Sequence, residues 1–234
     1  MTGTIFNVIT ILVGSALGLA FGGRLSEHLK STVFAGLGLF TAGLGVQMFL
    51  KTENALIVLG ALIIGAMLGE WWGVEDRLHR LGAWLEKRFM RGSDDDANNF
   101  IRGFLTASIL FCVGPMAVLG ALSDGLTGDS QTLLVKSIMD GFASIAFAST
   151  LGVGVAFSAL PILVLQGGIS LLAAQLNALV TAGMLAELTA TGGVLLMGIS
   201  ISSLLEIKKI RVGNFLPALF VAPLLVFLIG LFVK

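Results

Sequence analysis

The chain has 234 residues, 56% hydrophobic and 12% charged, with a mean hydropathy of +0.99, against about 25% charged in ordinary soluble domains. Its 14 basic and 14 acidic residues cancel, which excludes the polybasic footprint of a nucleic-acid-binding protein. One cysteine, Cys112, excludes an intrachain disulfide and a cysteine-rich metal centre.

Long apolar runs, rather than short alternating segments, predict an all-α polytopic bundle embedded in a lipid bilayer. Each lipid-facing segment must satisfy its own backbone hydrogen bonds. The first run, residues 4–23, has no basic segment before it, since Arg24 is the first positive charge. It reads as a retained span, not a cleaved signal. Gly14, Gly18 and Gly22 repeat every fourth residue along it, a small-residue stripe for close helix approach. Span 2 covers residues 31–50. A tight turn over 51–54 leads into span 3, residues 55–72, which closes on Trp71 and Trp72, an interfacial pair.

Residues 75–91 place Leu78, Leu81, Leu85 and Phe89 on one face and Arg77, Arg80, Lys87, Arg88 and Arg91 mostly elsewhere. That is the pattern of an amphipathic helix lying on the membrane surface or docking a partner. The linker SDDDANN over 93–99 reads as a solvated loop that caps the next helix, with cation binding the lesser alternative. His28 and His79 are too far apart in sequence to argue a shared metal, and no metal site is assigned.

Span 4, residues 100–121, carries the helix breaker Gly114-Pro115. After the loop over 123–132, the apolar sequence is too long for one crossing of about 20 residues. It divides into span 5, residues 133–158, and span 6, residues 161–183, with Leu160-Pro161 as the expected turn. Span 7 covers 188–205 and span 8 covers 215–233, giving eight spans in a single membrane domain over 1–234.

Lys and Arg favour cytoplasmic loops. With both termini outside, Arg24, Lys30, Arg77, Arg80, Lys87, Arg88, Arg91, Arg102, Lys208, Lys209 and Arg211 fall inside, eleven of the 14 basic residues. Spans 1–3 also echo spans 6–8, with Gly14 matched to Gly168, Gly36 to Gly192 and Asn54 to Asn214. The two copies would face opposite ways, as in transporters built from inverted repeats.

Lys136 and Asp140 stand one helical turn apart within span 5. Asp140 lies roughly 10 Å below the outer edge of that span at about 1.5 Å per residue. Ionisable groups at such depth mark functional sites by default, although a snorkelling lysine and a structural acid would give the same pattern. Ser137 and Gln166 lie near in the expected bundle, with Ser108, Cys112, Ser144 and Ser170. Gly114-Pro115, Asp140-Gly141 and Gly167-Gly168 are places where helices are expected to unwind and offer backbone groups to a small solute or ion. Asn7 and Gln47 read as interhelical glue. Glu70, Glu187 and Glu206 read as solvated acids at the edges of spans. No nucleophile elbow, HExxH or phosphate-binding loop is present, so neither an enzyme nor a cofactor is implied.

The segments FCVGPMAVLGALSDGLTGD, LLVKSIMDGFASIAFASTLGVGVAFSA and LVLQGGISL, with GAMLGEWWGVEDRLHRLG before them and VGNFLPAL after, resemble the YqgA/YdfK-like family of bacterial membrane proteins. The resemblance covers nearly the whole chain. It implies a multi-span fold in the bacterial cytoplasmic membrane and a presumed role in transport, and supplies no functional residues. The expected function is therefore a small secondary transporter or ion pathway with Asp140, Lys136, Ser137, Gly114, Pro115, Gln166, Gly167 and Gly168 at its site. The alternative is a non-transporting scaffold or regulatory subunit working through helix 75–91. The glycine stripes would suit a homo-oligomer interface as well as packing within one chain.

Overall fold

A computed structural model describes residues 1–22, 27–78, 80, 84, 94–112, 115–177 and 180–232. Those residues are mostly helical and contain no strand. The elements are α1 (Thr2–Gly22), α2 (Glu27–Phe49), α3 (Ala55–Trp72), α4 (Asp94–Cys112), α5 (Pro115–Thr127), α6 (Gln131–Leu151), α7 (Gly154–Phe157), α8 (Ala159–Leu171), α9 (Ala173–Asn177), α10 (Ala182–Ile199) and α11 (Ala218–Phe232). A π-helical turn, Ser200–Leu204, and a 3-10 turn, Val212–Phe215, lie between α10 and α11.

Seven helical segments among the described residues are long and apolar enough to cross a membrane, and the pair Asn99–Cys112 and Met116–Thr127, bent by 60°, makes an eighth when counted as one span. The outward faces carry large apolar side chains such as Phe142, Val164 and Phe220, the surface a lipid-facing bundle needs.

The helices group into two compact units, Met1–Leu37 with Gly82–Leu179, and Gly38–Leu81 with Val180–Lys234. In the first, α1 and α6 lie side by side and run parallel. Gly3 faces Leu133, Gly14 faces the Gly141 carbonyl and Ser144, Gly18 faces the Ile145 carbonyl and Ala148, and Gly22 faces the Ser149 carbonyl. A Cβ at any of these positions would strike its neighbour, so the predicted stripe of Gly14, Gly18 and Gly22 is a contact face.

The bent pair α4 and α5 extends along the same height. Phe100 and Gly103, near the start of the apolar part of α4 (Asn99–Cys112), meet Gly154 and Leu151 at the C-terminal level of α6. Asp124, near the end of α5, accepts a hydrogen bond from the Gly3 N–H (3.1 Å) at the N-terminal level of α1. The bend falls where Gly114-Pro115 predicts it. Gly114 lies outside the described residues, and Pro115 opens α5, the helical position where a missing N–H costs nothing.

Several boundaries differ from expectation. α5 continues to Thr127, which shortens the loop over 123–132 to the residues around Gly128, whose φ is 75°. The turn between spans 5 and 6 is not at Leu160-Pro161 but at Gly152-Val153, where Gly152 takes φ 78°. Pro161 is the third residue of α8, where its nitrogen would have no intrahelical partner, so it forces no break. Gly152 can adopt a left-handed conformation that costs other residues more.

In the second unit α3 packs on α11, with Gly65 against Ala218 and Gly69 against the Asn214 carbonyl. Ala61, Ala218, Val221 and Ala222 form the buried centre of this contact. Gly45 of α2 and Gly193 of α10 each face the other's carbonyl. Asn54 caps α3 by accepting from the Leu56 N–H, and Gly73 closes its other end at φ 60°. Trp71 and Trp72 at that end are exposed. Of the predicted amphipathic helix 75–91, residues 75–78, 80 and 84 are described, and all are helical. Most of 75–91 and residue 93 lie outside the described residues, whereas residues 94–99, expected as a loop, already belong to α4, which starts at Asp94.

Gly14→Val should therefore lower the stability of the detergent-solubilised protein by about 1–3 kcal/mol through overpacking. Gly168→Ala, at a site with nothing within 4 Å, should leave its thermal midpoint unchanged or raised. Comparable losses for both variants in thermal unfolding would contradict the close α1–α6 contact.

Candidate functional site

On α6 the residues Leu133, Lys136, Ser137, Asp140, Ser144, Phe147, Ala148 and Leu151 are buried. Their spacing puts them on one helical face. Lys136 and Asp140 are each 7% exposed, and the Lys136 Nζ donates to Asp140 Oδ2 within an ion pair one turn apart. The Asn7 Nδ2 group of α1 donates to the same Asp140 oxygen at 3.0 Å, and to Gln166 Oε1 of α8 at 3.4 Å. The Lys136 ammonium also stands 5.8 Å from the centre of the Phe111 ring, within reach of a cation–π attraction. Two helices thus meet at one carboxylate, and a third joins through Asn7. Burying a lone ion would cost several kcal/mol, which pairing and added hydrogen bonds offset.

Of the predicted site residues, Lys136, Asp140 and Gln166 come together. Ser137 is buried, but its hydroxyl donates to its own helix at the Leu133 carbonyl (2.6 Å). Gly167-Gly168 and Asp140-Gly141 do not unwind, since they lie inside the continuous helices α8 and α6. An unbroken helix keeps every backbone bond internal, at a cost of only about 1 kcal/mol per glycine. Gly141 instead admits the close approach of Thr10, 3.3 Å from a Cβ placed there.

In the same unit, Asn7 Oδ1, Gln166 Nε2 and the hydroxyls of Thr4, Ser15, Thr106, Ser108 and Ser144 are buried with no hydrogen-bond partner among the described residues. Thr4, Asn7 and Ser15 succeed one another down the buried face of α1. Ser170 of α8 is engaged, donating to the Ala121 carbonyl at 2.8 Å. The thiol of Cys112, half-buried and not in a disulfide, closes α4 beside the bend. Unpaired polar groups in an apolar interior are costly and call for a reason.

Sequence reasoning missed four carboxylate anchors. Glu187, expected in a solvated connector before span 7, lies inside α10 and is 1% exposed. It accepts from the Thr52 hydroxyl (2.7 Å) and from the N–H groups of Glu53 and Asn54 (both 2.8 Å). A negative charge at the N-terminus of α3 also meets the positive end of its dipole. At the other end of α3, Glu75 accepts from the Gly213 N–H (2.6 Å), while Asn214 accepts from the Glu75 N–H (2.8 Å) and donates to Glu70. Glu70 is thus not merely solvated. Arg211 bridges Glu70 and Asp76 at 3.0 and 2.6 Å. Its pKa is pushed up by the bond to Asp76 and the charges of Asp76 and Glu70. Asp124, 4% exposed, receives the Gly3 N–H and pairs with the Met1 ammonium at 3.1 Å. The only sequence sign of these roles was an acid beside a helix start distant in the chain.

Seven to eight apolar helical spans with a polar cluster enclosed among them define a multi-pass membrane protein. The chain belongs to the family described as "Protein of unknown function (DUF554)", which matches residues 2–227. It is similar to the "Uncharacterized membrane protein YdfK" of Bacillus subtilis (strain 168), with 31% identity over 236 residues, covering 99% of this chain and 98% of the relative. It is likewise similar to the "Uncharacterized protein YqgA" of Escherichia coli (strain K12), with 31% identity over 221 residues and 94% of each chain covered. No solved structure matches it.

Lys136→Met should destabilise the protein by about 3–5 kcal/mol because it leaves a buried carboxylate unpaired, whereas the double variant Lys136→Met/Asp140→Leu should recover most of that loss. A double-mutant cycle in chemical unfolding measures it, and additive effects would rule out a coupled pair. Glu187→Ala should cost roughly 1–3 kcal/mol for each donor left unpaired, and Glu187→Gln less, because the amide oxygen still accepts. Thermal unfolding distinguishes the two, and equal midpoints for Glu187→Ala and wild type would refute the anchor.

Proposed function

We propose that the protein is a small secondary transporter or ion pathway of the bacterial cytoplasmic membrane, with the Lys136–Asp140 cluster as its binding site. The observation that carries this reading is a buried ion pair bonded by Asn7 of α1, which itself bonds Gln166 of α8, in a unit that holds further unpartnered buried hydroxyls. Such groups are costly within an apolar bundle and are characteristic of solute and ion pathways. Asp140 is the coupling acid and Lys136 its charge partner. The bent pair α4 and α5 supplies the broken helix such sites use.

Orientation belongs to the same proposal. α1 and α6 run parallel, which requires an odd number of crossings between them; α2, α3 and the bent pair supply three. On this reading the chain crosses eight times and both termini lie on one side, which the distribution of Lys and Arg favours as the extracytoplasmic one. The inverted repeat of spans 1–3 and 6–8 fits the same reading.

The test is flux in reconstituted vesicles. Wild type should move its ion or solute and Asp140→Asn should fall to background; flux unchanged in the variant would remove Asp140 from the mechanism. The reading of a scaffold or regulatory subunit acting through helix 75–91 draws on the anchoring of Glu75 and Asp76, which fixes the start of that helix. On that reading, reversing the charges of Arg77 and Arg80 abolishes function while Asp140→Asn is silent.

A further inference from the structure

We infer that Asp140 anchors a binding site for a monovalent alkali cation, and that the Lys136 ammonium occupies this site as a tethered competitor. The inference rests on the reading of this cluster as a binding site. Among the described residues, Lys136 on its own helix and the uncharged Asn7 of α1 bond to Asp140, Gln166 of α8 accepts from Asn7, and Phe111 and Cys112 lie near the pair at the end of α4. One carboxylate balances one positive charge. Exchanging the ammonium for a single cation therefore keeps the buried charge at zero, whereas a divalent ion would leave a buried excess.

The available donors also suit a hard cation, which takes oxygen ligands. A carboxylate only accepts, so the Asn7 amide must turn its nitrogen toward Asp140, and this leaves Asn7 Oδ1 as a spare oxygen. That oxygen is buried and has no partner among the described residues. Ser144, one turn along α6 on the same buried face, adds a hydroxyl oxygen in the same condition. Among the described residues no group of three or more His, Cys, Asp or Glu side chains is placed to hold a metal ion, and the oxygens at hand here are one carboxylate and otherwise neutral groups. Displacement does not strand the lysine, because Lys136 stands one turn nearer the start of α6 than Asp140, so its long stem can carry the ammonium out to the membrane interface and leave the buried charge at zero. Lys136 thereby sets how tightly the cation binds.

The experiment is equilibrium binding of radiolabelled sodium to the full chain purified in detergent, with lithium and potassium as competitors and choline as the inert control. Wild type should bind weakly and saturably. Lys136→Gln, freed of its competitor, should bind about tenfold more tightly or better, and sodium should raise its thermal midpoint more than that of wild type. Asp140→Asn should not bind. If Lys136→Gln does not fold, Ser144→Ala is the second variant, with affinity lowered about tenfold and an unchanged midpoint in choline. No saturable binding, binding that survives Asp140→Asn, or a Lys136→Gln affinity no better than wild type would each overturn the inference. Sodium binding without flux in vesicles would keep this site and remove the transport reading. Asp140-dependent flux of protons or another solute with no bound alkali cation would do the reverse.

Discussion

An anion inside an apolar helical bundle has to find its donors within the protein, and that requirement organises this fold. Asp140 draws a lysine from its own helix and an amide from α1, and α8 joins through Gln166. Glu187 collects two backbone N–H groups and a hydroxyl from the turn before α3. Asp124 takes the N–H of Gly3 at the head of α1. In each case a carboxylate ties segments more than a hundred residues apart in sequence. Hydrophobic burial provides little discrimination between helix neighbours when lipid is equally apolar. Directed bonds to charged groups specify which helix sits beside which.

Glycine supplies the other half of the specification. The helices can share hydrogen bonds through short side chains such as Asn7 only because Gly14, Gly18 and Gly22 let α1 lie against the backbone of α6. The same device recurs where Gly45 and Gly193 face each other's carbonyls, and where Gly69 receives Asn214. Close contact and polar contact are therefore one arrangement seen at two distances.

The all-α multi-span fold was legible because hydropathy and helix length speak directly to the bilayer. The Lys136–Asp140 pair was equally legible, since opposite charges one helical turn apart within apolar sequence find each other before any more distant partner. The groups around that pair were not. Asn7 reads as generic glue until α1 is known to lie beside α6, and nothing local announces that neighbour. Glu187 was misread because an acid near the end of an apolar run looks like a boundary, whereas it caps another helix from inside its own. Proline misled at Pro161, where the first turn of α8 tolerates it, and glycine misled at Gly167-Gly168, which stay helical. The true turn at Gly152 had no neighbouring proline to mark it.

The side-by-side placement of α1 and α6 has a consequence for how the molecule is made. Asn7 and Asp140 are 133 residues apart, so at about 5–20 residues per second α6 leaves the ribosome roughly 7–27 s after α1. During that interval Thr4, Asn7 and Ser15 lie on an α1 face whose eventual cover has not been synthesised. A helix with an unpaired amide is a poor resident of lipid on its own. Biogenesis of this protein therefore needs α1 to be sheltered, by the insertion machinery or by temporary contact with α2 and α3, until α6 arrives to claim it.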